Sequence, residues 1–492
     1  MRLFLLGYIL FFFTPIGYAQ QSEYELLKQK LNENSLPLIN IVVADTADIN
    51  KNTYTDGEIE ISDYRKRTDG ATETLRYRCQ YKYRGASSSI YAKKSFAIKL
   101  KDKANNNLDA NILGMRADDN WILDAMAIDR IRMRNRICFD CWNAINSTPY
   151  TTNYGNRNGT EGVFVEVFVN GEYHGLYCMT DKINRKLLGL KKVTTDEEGT
   201  ISVRGILYKG INWGSGSNLL SYDNADMSGE TWNAWELQYP DDYPSIATWQ
   251  PLTHLIDFCS YKTPLSYFRQ EYRNWFYTDN LLDYIIFTLA LNVGDNLYKN
   301  TFLSVVDITQ AHRYLLTPWD MDMSLGGYYN GEYYDVLPDI DRYNYAAPFS
   351  RLYIQDIDCF REQMSKHWEQ LSMNQLSVNE IEERLDRYAQ MFQMSGAWER
   401  EYKRWNGNPV PLKENVTEEL DYVKDWYRRN YNALCVQFNT INTINTITPI
   451  KEDHKVNTIY TLDGRRIDTD IRNLPKGIYI INGKKTTILK GR

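Results

Sequence analysis

The sequence has few cysteines and histidines for its length of 492 residues, and both residue types are scattered. The seven cysteines are an odd number and lack the spacing of a disulfide framework. Cys138 and Cys141 form one CxxC motif, but no second CxxC follows at zinc-site spacing, and the segment is typical of an apolar helix face. The five histidines are also dispersed. The sequence therefore argues against a disulfide-stabilised scaffold and against a histidine-based zinc site.

The chain also lacks an excess of positive charge and a long internal apolar run. Its formal net charge of −6 and pI of about 5.6 argue against nucleic acid or an acidic membrane surface as the main partner. Beyond the first residues, charges interrupt every apolar stretch, so no transmembrane span is predicted in the mature protein. Residues 1–19 combine a positive start, an apolar run and a final small residue. We therefore predict a signal peptide and an exported protein, located in the periplasm, on the cell surface or secreted.

Two acidic clusters flank one predicted β-hairpin. The first runs from Asp295 to Asn300, the second contains Asp320 and Asp322, and residues 301–317 between them have the pattern of two strands joined by a polar turn. An antiparallel hairpin brings its two open ends together, so Asn300 should lie close to Asp320. Like charges at that distance repel unless a cation or a proton intervenes. Because Mg²⁺ and Mn²⁺ prefer oxygen ligands, we predict a divalent-metal site where the carboxylates of Asp295, Asp320 and Asp322 and the amide of Asn300 converge.

The order of these residues is that of a protein-kinase active site. Asp295 and Asn300 have the D-x-x-x-x-N spacing of the kinase catalytic loop, and a hairpin followed by an aspartate, here Asp320, comes next in kinases. Upstream, residues 96–99 (Phe-Ala-Ile-Lys) match the strand motif V-A-I-K except for the phenylalanine. Strand alternation places Ala97 and Lys99 on one face, where the amine could reach phosphates. The pattern predicts phosphoryl transfer.

Two further segments are candidates for nucleotide contacts. Residues 84–89, which begin with Arg84 and include Ser87 and Ser88, offer backbone N–H groups and hydroxyls at a predicted hairpin tip. They contain one glycine and no G-x-G-x-x-G pattern. Trp319 could stack on a base, although a tryptophan at a strand end belongs to the core about as often.

Together these stretches resemble the CotH-type kinases, an atypical protein-kinase-like family named after a spore-coat protein. The resemblance spans about residues 81–326 and follows family order in segments 84–88, 93–100, 113–115, 120–123, 129–135, 170–177 and 319–322, with Gly326. It implies an α+β, bilobal protein-kinase-like fold. The N-terminal lobe would be an antiparallel sheet with one main helix, and the C-terminal lobe would be mainly helical.

The resemblance also implies an activity, namely ATP-dependent transfer of the γ-phosphoryl group, with Mg²⁺ or Mn²⁺, to a hydroxyl of a protein substrate in the cell envelope or outside the cell. The implied catalytic residues are Asp295, Asp320 and Lys99, and the implied metal ligands are Asn300, Asp320 and Asp322. The candidate nucleotide-binding residues are Arg84, Ser87, Ser88, Lys99, Trp319 and Asp181. Asp181 stands where the family usually has glutamate, and Ala86 stands where it usually has asparagine.

The predicted organisation has four parts. The signal peptide is followed by a kinase-like domain at 36–438, in which residues 201–273 are rich in Gly, Asn and Ser and are predicted to form an irregular insertion. Residues 439–456 contain a repeated polar–isoleucine tract, interpreted as a linker. Residues 457–492 resemble the short C-terminal β-module common on exported proteins of the Bacteroidetes, which serves surface sorting in some of them.

Two other functions fit parts of the pattern. A D-x-D motif such as Asp320 and Asp322 also holds Mn²⁺ in metal-dependent glycosyltransferases, but the doubly wound strand–helix alternation of that class does not precede it here. The same fold could also serve as a non-catalytic surface adhesin or scaffold. Retention of the full set Asp295, Asn300, Asp320 and Asp322 favours an enzyme.

Overall fold

The computed structural model describes residues 21–46, 49–68, 71–85, 87–297, 299–310 and 312–439, and also 459–461, 466–467, 476–481 and 484–488. The predicted signal peptide at 1–19 lies outside the described residues. So do Ala86 and, apart from its first residue, the predicted linker at 439–456. The chain divides into two compact units near residue 440, and each is described by itself.

The first part of the chain is rich in β-strands, with two helices. Its strands are β1 (Leu38–Val42), β2 (Thr55–Thr68), β3 (Ala71–Arg84), β4 (Ser95–Lys101), β5 (Ala110–Asn111), β6 (Ala117–Asp118), β7 (Asn120–Asp124), β8 (Ser147–Thr152), β9 (Gly155–Arg157), β10 (Gly162–Val169) and β11 (Glu172–Thr180). The helices are α1 (Glu23–Lys28) and α2 (Arg134–Ile145). Helix α2 is the main helix expected from the sequence.

Seven of these strands form a closed barrel in the order β1-β10-β11-β7-β4-β3-β2, whereas an antiparallel sheet lobe was predicted. The difference arises at one pairing, because β1 joins β10 in parallel, with Leu38 opposite Glu166, while the remaining pairs are antiparallel. Closure removes the unpaired sheet edges that an open sheet would expose. Along β4, Phe96 and Ile98 are buried in the barrel core, so Ala97 and Lys99 share the outer face, as the alternation predicts.

A second, five-stranded sheet contains the predicted hairpin. Its strands run in the order β15-β16-β14-β17-β18, where β14 is Ile206–Gly210, β15 is Thr231–Trp232, β16 is Trp235–Tyr239, β17 is Thr301–Val305 and β18 is Leu315–Pro318. Strands β17 and β18 pair with Thr301 opposite Pro318, which confirms the hairpin. A separate two-stranded ladder joins β12 (Thr194–Thr195) and β13 (Ile201–Ser202).

Residues 201–273, predicted to form an irregular insertion, contain regular elements as well as a stretch without helix or strand at 211–230. This segment supplies strands β13 to β16 and also helices α3 (Ile246–Cys259) and most of α4 (Leu265–Trp275). Its glycines and asparagines obscured the strands, because β14 is stabilised by pairing with β17, with Tyr208 opposite Leu303, far along the chain. Pairing of that kind overrides local composition.

The remainder of the first unit is mainly helical, so the fold class is α+β, with a sheet-rich N-terminal part and a helical C-terminal part. Its helices are α5 (Thr278–Ala290), α6 (Phe349–Ile354), α7 (Phe360–Ser372), α8 (Val378–Met394), α9 (Ala397–Trp405) and α10 (Val416–Gln437). Among the described residues, no helix combines the length and apolar character required to cross a bilayer.

A buried ion pair connects helix α9 to the barrel. Glu401 accepts hydrogen bonds from Lys93 Nζ at 2.6 Å, from Arg132 Nε at 2.7 Å and from the N–H of Leu176 at 2.8 Å. Although burial alone would raise the pKa of Glu401, Lys93 and Arg132 hold it below its usual range. These contacts fix helix α9 against the strand-rich part of the chain. The strand-rich part carries some of the residues of the candidate site described below.

The C-terminal unit is a small antiparallel sheet. Its strands are β19 (Ile459–Thr461), β20 (Arg466–Ile467), β21 (Gly477–Ile481) and β22 (Lys484–Ile488), in the order β20-β19-β21-β22. Its interpretation as a sorting module stays a prediction.

Candidate functional site

The two ends of the β17–β18 hairpin are tied together by the buried side chain of Asn296. Its amide donates to the carbonyl of Asn300 at 2.8 Å and to the carbonyl of Trp319 at 2.9 Å. The hairpin register therefore brings Asn300 beside the segment that begins at Asp320. Asn300 and Asp320 both have a φ of 56°, in the left-handed region that asparagine and aspartate tolerate better than most residues. Left-handed backbone conformations of non-glycine residues are common at functional sites.

Carboxylates converge at this end of the hairpin, here named the acidic mouth: Asp124, Asp295, Asp320 and Asp322. Asp295 contacts Asn300, whose Nδ2 lies 3.4 Å from Asp295 Oδ2, and forms an ion pair with Lys299 at 2.7 Å. Burial and nearby carboxylates raise the pKa of Asp322 well above its usual range. In decreasing order of effect, these neighbours are Asp320, Asp124, Asp129 and Asp295. Negative charge at the mouth thus exceeds the positive charge that the protein places there.

Asn135 connects the barrel to the acidic mouth. Its Nδ2 donates to Asp124 Oδ2 at 2.9 Å, and its Oδ1 accepts from the N–H of Met321 at 3.1 Å. Asn135 lies in the first turn of α2, whose start is fixed by Asp129, the acceptor of the Met133 and Arg134 N–H groups at 2.7 Å. One amide therefore sets the position of Asp124, at the end of β7, relative to the backbone between Asp320 and Asp322.

Beside the acidic mouth lies a cavity of about 200 Å³ between the outer face of the barrel and the five-stranded sheet. We name it the cationic cleft, after Lys82, Arg84, Lys182 and Lys209, which line it, and Lys99, which borders it. Glu236 and Gln238 of β16 and the aromatic rings of Tyr54, Phe302 and Trp319 complete the wall. Within the described part of the chain, none of the five cations has a carboxylate oxygen at ion-pair distance.

Lys182 and Lys209 are the residues of this cleft that sequence reasoning missed. Burial lowers the pKa of Lys182, and the nearby charges of Arg84 and Lys99 lower it further. Burial also lowers the pKa of Lys209, with Arg84 contributing in the same direction and Asp320 opposing. Lys182 follows Asp181, which the sequence did single out, whereas a lysine in a strand such as Lys209 gives no signal. Carboxylates oppose both shifts, namely Asp241 and Glu236 at Lys182, and Asp320 and Glu236 at Lys209.

Lys99 lies at the far end of the cleft from the acidic mouth. The register of β4 pairs Ser95 with Arg84 and Lys99 with Gln80, so Arg84 is at the mouth and Lys99 is four residues away. At the usual strand rise this is about 13 Å. The ammonium groups of Lys82 and Lys99 both lie over the ring of Tyr54, at 4.8 Å and 4.7 Å. Arg84, not Lys99, is therefore the barrel cation nearest Asp124 and Trp319.

Trp319 belongs to the core and also borders the cleft. Its ring packs edge-on against Phe139 and Phe302 at 5.8 Å and 5.9 Å and is 7% exposed. The guanidinium of Arg84 lies 5.5 Å from its ring centre. The group that the structure places over the Trp319 ring is therefore the guanidinium of Arg84.

The remaining candidates are placed as follows. Ser87 and Ser88 lie in a short 3₁₀ turn, residues Ser87–Ile90, after the end of β3 that carries Arg84. Asp181 is fully buried, pairs with Arg116 at 2.7 Å and Arg157 at 2.6 Å, and is not among the described residues that line the cleft. Burial raises the pKa of Asp181, and the two arginines oppose that shift.

The donor set of the acidic mouth fits a divalent cation in its chemistry. Carboxylate and amide oxygens are present, and Asn296 Oδ1 is a buried acceptor for which the described residues supply no hydrogen-bond donor. The carboxylates of the mouth do not close to within 4.8 Å of one another as a set of three. In the described residues the group that does so is Asp109, Asp118 and Asp119, with each of which Lys186 forms an ion pair. A cation at the mouth would draw its ligands together from both hairpin ends.

A family model described as CotH kinase protein matches residues 81–434. The chain therefore belongs to the CotH kinase protein family. The match begins in β3, three residues before Arg84, and ends in α10, so it includes the acidic mouth and, apart from Tyr54, the residues of the cationic cleft. A search of curated proteins finds no match.

Proposed function

We propose that this protein is a metal-dependent phosphotransferase that transfers the γ-phosphoryl group of ATP to a hydroxyl of a protein. The observation that carries the proposal is that a group of carboxylates adjoins a cleft lined by several cations. Carboxylates crowd the acidic mouth, and cations without ion-pair partners line the adjoining cleft. A complex of a divalent cation with an oligophosphate carries the opposite charge to each of them.

The metal would be held at the hairpin ends. Asn300 and Asp320 are its ligands, with Asp322 as an additional carboxylate whose repulsion from its neighbours a cation would relieve. The ion supplies charge neutralisation on the transferring phosphoryl group. Asn135 and Asn296 act as positioning residues, because they hold the backbone on either side of these ligands.

The phosphates would occupy the cationic cleft. Arg84 and Lys209 lie nearest the acidic mouth. Arg84 lowers the pKa of Asp124, and Asp320 raises the pKa of Lys209. Guanidinium and ammonium groups in a half-buried cleft bind phosphate oxygens without losing an existing ion pair. Lys182 and Lys99 extend the same lining away from the mouth.

Asp295 is proposed as the catalytic carboxylate. It lies in a short 3₁₀ turn directly before the hairpin, beside Asn300, with a side chain that is 18% exposed. Accepting the proton of that hydroxyl is the role an aspartate performs at this point of a phosphoryl transfer. Lys299 holds the carboxylate in place through their ion pair.

The test is transfer of labelled phosphate from ATP, with Mg²⁺ or Mn²⁺, to the protein itself or to a cell-envelope extract. We expect Asp295→Asn to lower the rate by about 10²–10⁴-fold, the usual contribution of a positioned proton acceptor. Asp279→Asn, an exposed aspartate in the first turn of α5, is the matched control and should retain activity. Absence of metal-dependent transfer by the wild type, or full activity in Asp295→Asn, would refute the proposal.

A further inference from the structure

Two surface segments contact the chain on either side of the turn that carries Asp295. One segment, residues 211–218, follows strand β14, and the other, residues 336–347, comes after the acidic mouth in the sequence. The two segments meet where the N–H of Ala347 donates to the carbonyl of Asn218 at 2.9 Å. A polypeptide that brings a hydroxyl to Asp295 therefore comes close to both of them.

The first segment leaves strand β14 at the end of the hairpin that forms the acidic mouth. Lys209 stands opposite Phe302 in the register of β14 and β17, and the N–H of Asn300 donates to the carbonyl of Gly210 at 2.8 Å. Trp213 follows three residues after Gly210, a reach of at most about 11 Å. Its side chain is exposed. A large aromatic ring is thus presented to solvent within a short reach of Asn300.

The second segment contacts the chain three residues before the catalytic carboxylate. Asn292 Nδ2 donates to the carbonyl of Val336 at 3.2 Å, and Asn292 Oδ1 accepts from Arg342 Nη1 at 2.7 Å. Tyr345 stands one turn beyond Arg342 in the 3₁₀ turn at 340–345. The two side chains share a face, because residues three apart eclipse each other in a 3₁₀ helix. Val336 and Tyr345 therefore stand beside the start of the catalytic turn.

Trp213, Val336 and Tyr345 form what we name the apolar rim. Each of the three is between 50% and 69% exposed. Single exposed apolar side chains are ordinary on a protein surface, whereas several around one site mark a surface that a partner covers. An indole, a phenol and a branched aliphatic group suit apolar side chains of a polypeptide, and tryptophan and tyrosine contribute most at protein interfaces.

We infer that the apolar rim binds the acceptor protein, and that the acceptor hydroxyl lies within a few residues of large apolar side chains. The inference rests on the proposed phosphotransferase function and adds the substrate class to it. In the transfer, the hydroxyl oxygen forms a bond to the γ-phosphorus while the bond from that phosphorus to the β–γ bridging oxygen breaks. The bridging oxygen leaves with the electron pair as part of ADP, and the hydroxyl proton passes to Asp295.

The first experiment measures transfer from ATP, with Mg²⁺, by the full chain to synthetic peptides that contain one central serine. The residues flanking the serine are leucine and phenylalanine in the first peptide, glutamine in the second and lysine in the third. We expect kcat/KM for the apolar peptide to be at least about tenfold higher than for either of the others. Equal efficiency for the three peptides, or preference for the glutamine or lysine peptide, would overturn the inference and leave the phosphotransferase intact.

Variants then locate the effect on the rim. Trp213→Ala and Tyr345→Ala should each raise the KM for the apolar peptide by about tenfold, equivalent to about 1.4 kcal/mol, and leave kcat and the KM for ATP almost unchanged. Trp213→Phe keeps an aromatic ring and should retain most of the preference.

Tyr267→Ala is the matched control for these variants. Tyr267 is 52% exposed and lies on α4, and Phe276, the residue after α4, pairs with Tyr314 at the end of the hairpin opposite the acidic mouth. A tenfold higher KM for the apolar peptide in Tyr267→Ala, or an unchanged KM in both Trp213→Ala and Tyr345→Ala, would overturn the inference.

Binding measurements separate this inference from the proposed function. The fluorescence anisotropy of the labelled apolar peptide is followed without ATP as wild type, Asp295→Asn or Trp213→Ala is added. We expect equal affinity for the first two proteins and about tenfold weaker binding by Trp213→Ala. This pattern without transfer from ATP to any acceptor would refute the phosphotransferase and retain the rim as a peptide-binding surface. Transfer to other acceptors without binding of the apolar peptide would overturn the rim and leave the phosphotransferase intact.

Discussion

Two groups of aspartates in this protein differ in how their charge is balanced. Asp109, Asp118, Asp119 and Asp181 form what we name the closed acidic cluster, in which Arg116 pairs with Asp118 at 2.6 Å and Lys186 with Asp119 at 2.7 Å. Burial raises the pKa of Asp119 and Asp181, but cationic neighbours oppose both shifts and hold the pKa of Asp118 below its usual range. At the acidic mouth, by contrast, the pKa of Asp322 rises well above its usual range. The protein itself supplies the cations of the closed cluster, whereas for the mouth we propose a cation from outside.

The same contrast holds for the cations. Lys93 and Arg132 are buried and share Glu401, whereas the cations of the cleft have no carboxylate partner among the described residues. Buried charges that are paired hold the fold together, and removing one partner is strongly destabilising. Unpaired charges beside a cleft contribute little to folding. The proposed phosphate ligand would give them a counter-charge.

The largest expected effect lies in the closed acidic cluster. Arg116→Gln leaves Asp118 and Asp181 without a shared arginine and should lower the free energy of unfolding by about 3–5 kcal/mol, measured by urea denaturation. Arg76→Gln, which breaks an ion pair to Glu60 from an arginine that is 63% exposed, is the control and should cost less than about 1 kcal/mol. Similar losses in the free energy of unfolding of the two variants would contradict the distinction between the closed acidic cluster and an exposed ion pair.

The second prediction concerns metal binding at the acidic mouth. Mg²⁺ or Mn²⁺ at a hundredfold excess over its dissociation constant should raise the free energy of unfolding by about 2.7 kcal/mol. Asp320→Asn should abolish that gain, because it removes a proposed ligand. Asp109→Asn, in the closed acidic cluster, should keep it. The opposite pattern would place the metal at Asp109, Asp118 and Asp119.

The third prediction uses the raised pKa of Asp322. Without metal, Asp322→Asn should stabilise the protein at neutral pH by on the order of 1 kcal/mol, because it removes a charge that its neighbours repel. A raised pKa means that the folded state binds the proton more tightly than the unfolded state does. The penalty in the wild type is therefore present above the raised pKa and is relieved as the pH falls towards the unfolded value of about 4.

The measurement is urea denaturation of wild type and Asp322→Asn across that pH range. The gap between their free energies of unfolding should narrow as the pH decreases. A gap that is constant with pH, or a variant less stable than the wild type at neutral pH, would show that the mouth is not under electrostatic repulsion.

The smallest expected effect is at Lys299. Its ion pair with Asp295 joins residues four apart and is partly exposed, at 31% and 18%. Lys299→Ala should therefore change the free energy of unfolding by no more than about 0.5 kcal/mol. A loss in the free energy of unfolding comparable to that of Arg116→Gln would show that the protein itself balances the negative charge of the acidic mouth.

These contrasts indicate which features local sequence can predict. The β17–β18 hairpin follows from alternation over adjacent residues, and its register brings Asn300 to Asp320 without any information from the rest of the chain. The helices α7, α8 and α10 likewise have clear local periodicity. The barrel closure was not predictable in this way, because β1 and β10 are joined by a long-range parallel pairing.

The parts of the site that escaped prediction depend on pairing between distant segments. Asp124 joins the acidic mouth because Asn135 links it to Met321, nearly two hundred residues away. Lys209 reaches the cleft because β14 pairs with β17. Asp181 was assigned to the nucleotide from its position in the motif, whereas its side chain is paired with arginines that lie elsewhere in the sequence.

The central claim is that the acidic mouth holds a divalent cation. Its most direct test is titration of the full chain with Mn²⁺, followed by the electron paramagnetic resonance signal of the free ion, in wild type, Asp320→Asn and Asp109→Asn. The account predicts that wild type and Asp109→Asn deplete the free signal equally and that Asp320→Asn does not. Equal depletion by all three proteins would contradict it.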